Sequence, residues 1–90
     1  MAKQTDVIRK DWELNGWFVI NLIATNQNGI CDYLMMKQCE TDVFVESKEI
    51  KDELSELQKY RINQLLELGK IVMVNDKEIT EPFIFETFNF

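Results

Sequence analysis

Ninety residues are enough for one domain with a modest core, and chains of this size are often helped by oligomerisation. An apolar fraction of 46% argues against disorder, and the absence of histidine excludes histidine-based catalysis and, with only two cysteines, disfavours a zinc site within one chain. The net charge of −6 is the reverse of what a surface that neutralises many phosphates carries, although it describes no single face.

No apolar run reaches membrane-spanning length, and nothing near the start has the pattern of a signal peptide, so the expectation is a soluble, cytoplasmic protein. Cys31 and Cys39 are then expected as free, mostly buried thiols.

In chain order, Met1 to Gln4 reads as a frayed end. A first helix is expected over Thr5 to Leu14, with Thr5 as N-cap, Asp6 in the first turn and Asn15-Gly16 as the stop. Trp17 to Thr25 is β-branched and aromatic-rich and apolar on nearly both faces, which suits a covered central strand. Asn28-Gly29 is a hairpin signal, and Ile30 to Met36 returns as the second strand, with Met35-Met36 in the core. Gln38 to Asp42 is a polar turn, and Val43 to Lys48 is the third strand.

The mixed charges of Glu49, Lys51, Asp52 and Glu53 belong to a solvated loop. Ser55-Glu56-Leu57-Gln58 is a capping box that opens a second helix running to about Leu68, with Gly69 as terminator. Leu57, Arg61, Leu65 and Leu68 fall on one stripe, which is expected to be buried, with Gln58 and Ile62 on its shoulder. Arg61 then either snorkels along the sheet toward a phosphate or pairs with an exposed acid. Ile71 to Val74 is a short last strand, ended by Asn75-Asp76.

The expected class is α/β: one domain over residues 1–90, with a mixed sheet and flanking helices in α-β-β-β-α-β order. Residues 82–90 form an aromatic C-terminal tail holding four of the six phenylalanines, a sticky patch if exposed. Pro82 suits the start of an edge strand, and the segment after it is expected to pack in a homodimer interface.

Chemistry points to the two middle strands. Asp32 opens one apolar run, and Glu46 and Lys48 close the next. Alternation along a strand sends Glu46 and Lys48 to one side and Ser47 to the other. If the runs pair as neighbours, Asp32 approaches Glu46 at roughly 5 Å between Cβ atoms. Two carboxylates that close repel unless a cation lies between them, and Mg²⁺, at about 2.1 Å from its oxygen ligands, suits the site. Read without further context, Glu46 and Lys48 could equally be edge-strand surface charges, with Asp32 simply following a turn.

Asp32 followed by Glu46-Ser47-Lys48 resembles the D…E-x-K signature of the PD-(D/E)xK nuclease superfamily. G-I-C-D, F-V-E-S-K, S-E-L-Q and L-G-K-I-V-M-V, in that order from about Asn15 to Asp76, resemble the VRR-NUC family, and above all its short, stand-alone, mostly phage-borne members. The resemblance implies a restriction-endonuclease-like core and a Mg²⁺- or Mn²⁺-dependent endodeoxyribonuclease that hydrolyses phosphodiester bonds. It implies a homodimer acting on branched DNA such as Holliday junctions. Asp32 and Glu46 would be metal ligands, joined by the Ser47 backbone carbonyl. Lys48 would orient or help deprotonate the attacking water, or contact the phosphate, and Gln58 would line the active site.

Cys31 stands where the family has proline. The family's first-helix glutamate has no direct counterpart, so Gln4 or Asp6 would have to stand in. These departures, with the acidity, make a catalytically lapsed binding or regulatory relative the alternative.

Overall fold

The computed structural model describes residues 4–22, 25–49 and 51–85, and the side chains of the first helix from Val7 onward. The elements are α1 (Gln4–Leu14), β1 (Phe18–Asn21), β2 (Tyr33–Met36), β3 (Val43–Glu46), α2 (Glu56–Glu67), β4 (Ile71–Val74) and β5 (Lys77–Ile79). The five strands form one mixed sheet in the order β1-β2-β3-β4-β5. β3 and β4 are parallel and joined through α2, whereas every other pair is antiparallel. The described residues thus make a small α/β domain with two helices. Among them no helix is long and apolar enough to cross a membrane.

Alternation along the strands divides the core in two. Tyr33, Met35, Val43 and Val45 are buried with Ile8 of α1, and Trp12, Trp17, Val19, Ile71 and Met73 pack around them. Cys31 and Val72 are buried with Ile62 and Leu65 of α2, enclosed by Ile30, Phe44, Leu54, Leu66, Val74, Ile79 and Phe83. The α1 side is fixed at its margin by the Trp12 and Trp17 rings, edge to face at 4.8 Å, and by Lys37, whose ammonium donates to the Asn15 carbonyl at 3.0 Å.

Four expectations from sequence are corrected. The order gains a seventh element, because Asn75-Asp76 is a tight turn and not a terminus: Lys77 pairs back with Val74 and Glu78 with Met73. The long strand expected over Trp17–Thr25 is only Phe18–Asn21, at the sheet edge, with residues 23 and 24 outside the described ones. The buried face of α2 is rotated by one residue. Ile62 and Leu65 are the buried residues, while Leu57 is 42% and Leu68 71% exposed. Positions 58, 62 and 65 share a face at helical spacing as well as 57, 61, 65 and 68 do, and packing on Val72 chooses the former. Finally, Cys39 is exposed, in a turn at φ +66°, and only Cys31 is buried.

The frame of α2 follows its sequence signals. Ser55 Oγ accepts from the Gln58 N–H at 3.1 Å, and Gln58 Oε1 accepts from the Ser55 N–H at 2.9 Å, which completes the capping box. At the other end Gly69 takes φ +80°, and the Lys70 N–H reaches back to the Leu65 carbonyl at 3.0 Å. The tail begins held on α2, and residues 82–85 form no strand, against the edge strand expected from Pro82. The side chain of Asn63 donates to the Phe83 carbonyl at 2.9 Å and accepts from the Phe83 N–H at 2.8 Å. The expected interface segment beyond Phe85 lies outside the described residues.

Candidate active site

The register of the antiparallel β2–β3 pair decides which polar groups meet. Tyr33 lies opposite Val45, so one step further Asp32 faces Glu46 across the ladder. Asp32 precedes the first paired residue of β2, and its carbonyl still accepts from the Leu22 N–H at 2.8 Å. Its carboxylate crosses to the next strand, where Oδ2 accepts from the Ser47 N–H at 2.9 Å. The two acids that sequence reasoning placed together are therefore neighbours at one end of the sheet.

Among the described residues Glu46 is the one charged group that is buried, at 3% exposed. Its position follows from alternation. Val43 and Val45 point into the α1 core, while Phe44 borders the α2 core and Glu46 meets a side chain from α2. There Gln58 Nε2 donates to Glu46 Oε1 at 3.3 Å. The Glu46 carboxyl is raised from 4.5 to about 8, first by burial, then by the nearby charge of Asp32, with a hydrogen bond to Asp32 adding to the rise. The charge of Lys48 works in the opposite direction. Burial, then the charges of Glu46 and Asp32, also push the Cys31 thiol up to about 12, which makes it a neutral packing group rather than a nucleophile.

Gln58 therefore serves two partners with one amide: its oxygen caps α2, and its nitrogen holds Glu46. This places the second helix by its first turn against the acid pair. The Asn28-Gly29 turn that leads into Asp32 is also held by α2. Arg61 Nε donates to the Asn28 carbonyl at 3.0 Å. A Cβ on Gly29 would lie 2.6 Å from Leu57 Cγ, and Gly29 itself sits at φ +79°. Only glycine allows both this backbone angle and this approach. Of the two roles expected for Arg61, pairing with an acid is not what the structure holds: its guanidinium binds the Asn28 carbonyl and Gln64 Oε1.

Lys48 stands two residues beyond β3, past the regular strand, and the expected alternation with Glu46 is not kept: Glu46 meets Gln58 on the α2 side, whereas Lys48 lines a cleft of about 610 Å³ on the α1 side, with Asp11 and Trp12 of α1 and with Met73, Asn75 and Asp76. Asp11 is thus a first-helix carboxylate on the cleft that Lys48 lines. The side chains of Gln4 and Asp6, expected as stand-ins for a first-helix acid, lie outside the described residues. Sequence reasoning passed over Asn75, which reads as a strand stop. Its side chain accepts from the Lys48 N–H and donates to the Lys48 carbonyl, both at 2.9 Å. The available signal was asparagine at a turn, a residue type that tolerates positive φ, here +56°.

Asp32 and Glu46 offer carboxylate oxygens, hard donors of the kind Mg²⁺ and Mn²⁺ prefer. Burial and the charge of Asp32 make Glu46 keep its proton beside that acid, and a bound cation could take the proton's place between them, so the two residues fit such an ion. Among the described residues no group of three or more His, Cys, Asp or Glu side chains gathers around a common point, so any further ligands would be backbone oxygens or water. No family model matches the chain, and no curated protein or solved structure matches it.

Proposed function

We propose that this chain is a small metal-dependent endodeoxyribonuclease of the VRR-NUC kind, with a restriction-endonuclease-like core, acting as a homodimer on branched DNA. The observation that carries the reading is the β2–β3 register, which sets Asp32 against a buried Glu46 held by Gln58. In this reading Asp32, Glu46 and the glutamine of the S-E-L-Q block share one end of the sheet, and Lys48 follows two residues on, lining the cleft against α1. A pair of solvated surface charges would need neither the burial nor the partner from α2.

In this reading the Asp32 and Glu46 carboxylates and the Ser47 carbonyl hold Mg²⁺ or Mn²⁺. When bound, such an ion acidifies water and neutralises phosphate oxygens. The protein's own groups do the rest. The Ser47 N–H fixes the Asp32 carboxylate, and the Gln58 amide fixes Glu46, so both acids are oriented before substrate arrives. Lys48 supplies positive charge beside the acids, to orient the attacking water or to meet the phosphate as negative charge develops.

The test is cleavage of duplex, flap and four-way-junction DNA with Mg²⁺ or Mn²⁺. Asp32→Asn, Glu46→Gln and Lys48→Ala should each lose activity on the order of 10²-fold or more while remaining folded. Wild-type rates from Glu46→Gln would rule this site out.

A second reading is favoured by one specific feature, the net charge of −6. A catalytically lapsed, regulatory or binding relative would carry the same fold without needing a phosphate-attracting surface. It would show neither Mn²⁺ binding through Asp32 and Glu46 nor DNA nicking.

A further inference from the structure

We infer that Asn75 is a positioning residue that fixes Lys48 beside the acid pair, acting through the lysine's backbone. The inference rests on the nuclease reading for its catalytic consequence. Its geometric basis is independent of that reading.

The parallel β3–β4 ladder ends at the pair Glu46 and Val74. One more ladder bond follows, from the Asn75 N–H to the Glu46 carbonyl at 2.8 Å. There the main chain of β4 turns away toward β5, with Asn75 at φ +56°. Lys48 would be left at the sheet end with an unpaired N–H and carbonyl. The Asn75 side chain takes both, at 2.9 Å each.

A primary amide has the same one-acceptor, one-donor face as a peptide group. Asn75 therefore extends the ladder by two residues with its side chain while its backbone leaves. Asparagine is the residue for this position because it tolerates positive φ and carries both functions. Aspartate lacks the donor, and glycine lacks both. The same device recurs where Asn63 clamps Phe83, but there it secures a tail rather than a charged residue of the site.

The consequence concerns a long side chain. Lysine is a flexible point charge on a four-carbon stem, and its reach is useful only if its root is fixed. Glu46 is fixed from α2 by Gln58 and Asp32 by the Ser47 N–H just beyond β3; the backbone of Lys48, in the nuclease reading the third member of the site, is fixed from the end of β4 by Asn75.

The experiment compares wild type with Asn75→Gly, which keeps the backbone angle and removes the amide, alone and combined with Lys48→Ala. Amide exchange at Lys48 is read by NMR, and kcat and KM are read on cleaved DNA with Mn²⁺. Asn75→Gly should release the Lys48 amide about tenfold or more and lower kcat by about 10- to 100-fold at little change in KM, as misplacement of one group does. Adding Asn75→Gly to Lys48→Ala should cause no further loss, because the clamp acts through that lysine. Wild-type kcat in Asn75→Gly, or losses that multiply in the double variant, would overturn the inference. If Asn75→Gly melts below the assay temperature, Asn75→Asp, which keeps the acceptor for the Lys48 N–H and loses the donor to its carbonyl, carries the kcat comparison alone and in the double variant, with the Lys48 amide still protected. The two readings fail differently. A wild type that cuts no DNA overturns the nuclease reading and with it the clamp's catalytic role. A wild type that cuts alongside an equally active Asn75→Gly overturns the clamp alone.

Discussion

Glu46 concentrates the tension of this molecule in one side chain. A carboxyl at 3% exposure beside a second carboxylate holds its proton to about pH 8 in the folded protein, against 4.5 as its ordinary value. The sign of the stability effect follows. Below pH 4.5 the group is protonated whether the chain is folded or unfolded, and it contributes no difference. Between 4.5 and 8 the unfolded chain releases the proton and the folded chain keeps it, so stability falls as pH rises, and the loss is complete above 8. A tenfold change in an acidity constant corresponds to about 1.4 kcal/mol, so the whole effect is on the order of a few kcal/mol. Glu46→Gln imitates the protonated form and should be more stable than wild type at pH 8, with the advantage vanishing as pH falls below 4.5. Thermal melts of the two proteins across that range would show it, and parallel curves would mean that Glu46 is solvated and unperturbed. In the metal-binding reading Mn²⁺ should raise the wild-type melting temperature by linkage and leave Asp32→Asn unmoved.

At the scale of elements, the first turn of α2 joins fold to site, and its two roles can be separated. Ser55→Ala removes one half of the capping box and should cost about 0.5–2 kcal/mol, with little effect on DNA cleavage. Gln58→Ala removes the cap's other half and the hydrogen bond to Glu46, so it should lose stability and cleavage together. Equal activity losses in the two variants would show that Gln58 matters only as a cap. Gly29→Ala should be more harmful than either to folding, since the added Cβ meets Leu57 and the backbone angle is disfavoured. These elements were legible to different degrees. The capping box, the Asn28-Gly29 turn and the pairing of Asp32 with Glu46 could be read from residues, because local chemistry or strand alternation determines them. The buried stripe of α2 could not, because two faces of that helix are nearly equally apolar and only the sheet beneath it decides. β5 was missed because Lys77-Glu78-Ile79 is short and charged, and edge strands owe their pairing to a neighbour. Asn75 was missed because a side chain that imitates backbone leaves no periodic trace.

The molecule as a whole divides a small chain between two cores, one on each side of its sheet, and the tail has work on the second. Phe83 packs against the core of Ile62, Leu65 and Val72, its backbone is clamped by Asn63, and Lys59 lies 5.9 Å from its ring centroid. Deleting the chain from Phe83 onward would therefore remove part of the protomer's own core as well as any interface, and the outcome would mix the two. Ile84 separates them. It is 90% exposed, next to a residue that is held, and burying such a side chain contributes roughly 1.5–3 kcal/mol. In the proposed homodimer it would lie at the two-fold contact, where the symmetry makes each contact twice. Ile84→Asp should leave the melting transition of the protomer nearly unchanged and shift light scattering from dimer to monomer. It should also weaken paired cutting of a four-way junction more than nicking of a single strand, because paired cuts need two sites held together. A wild type that scatters as a monomer, or an Ile84→Asp protein that remains dimeric, would remove this segment from the interface and leave Phe83 as a core residue alone.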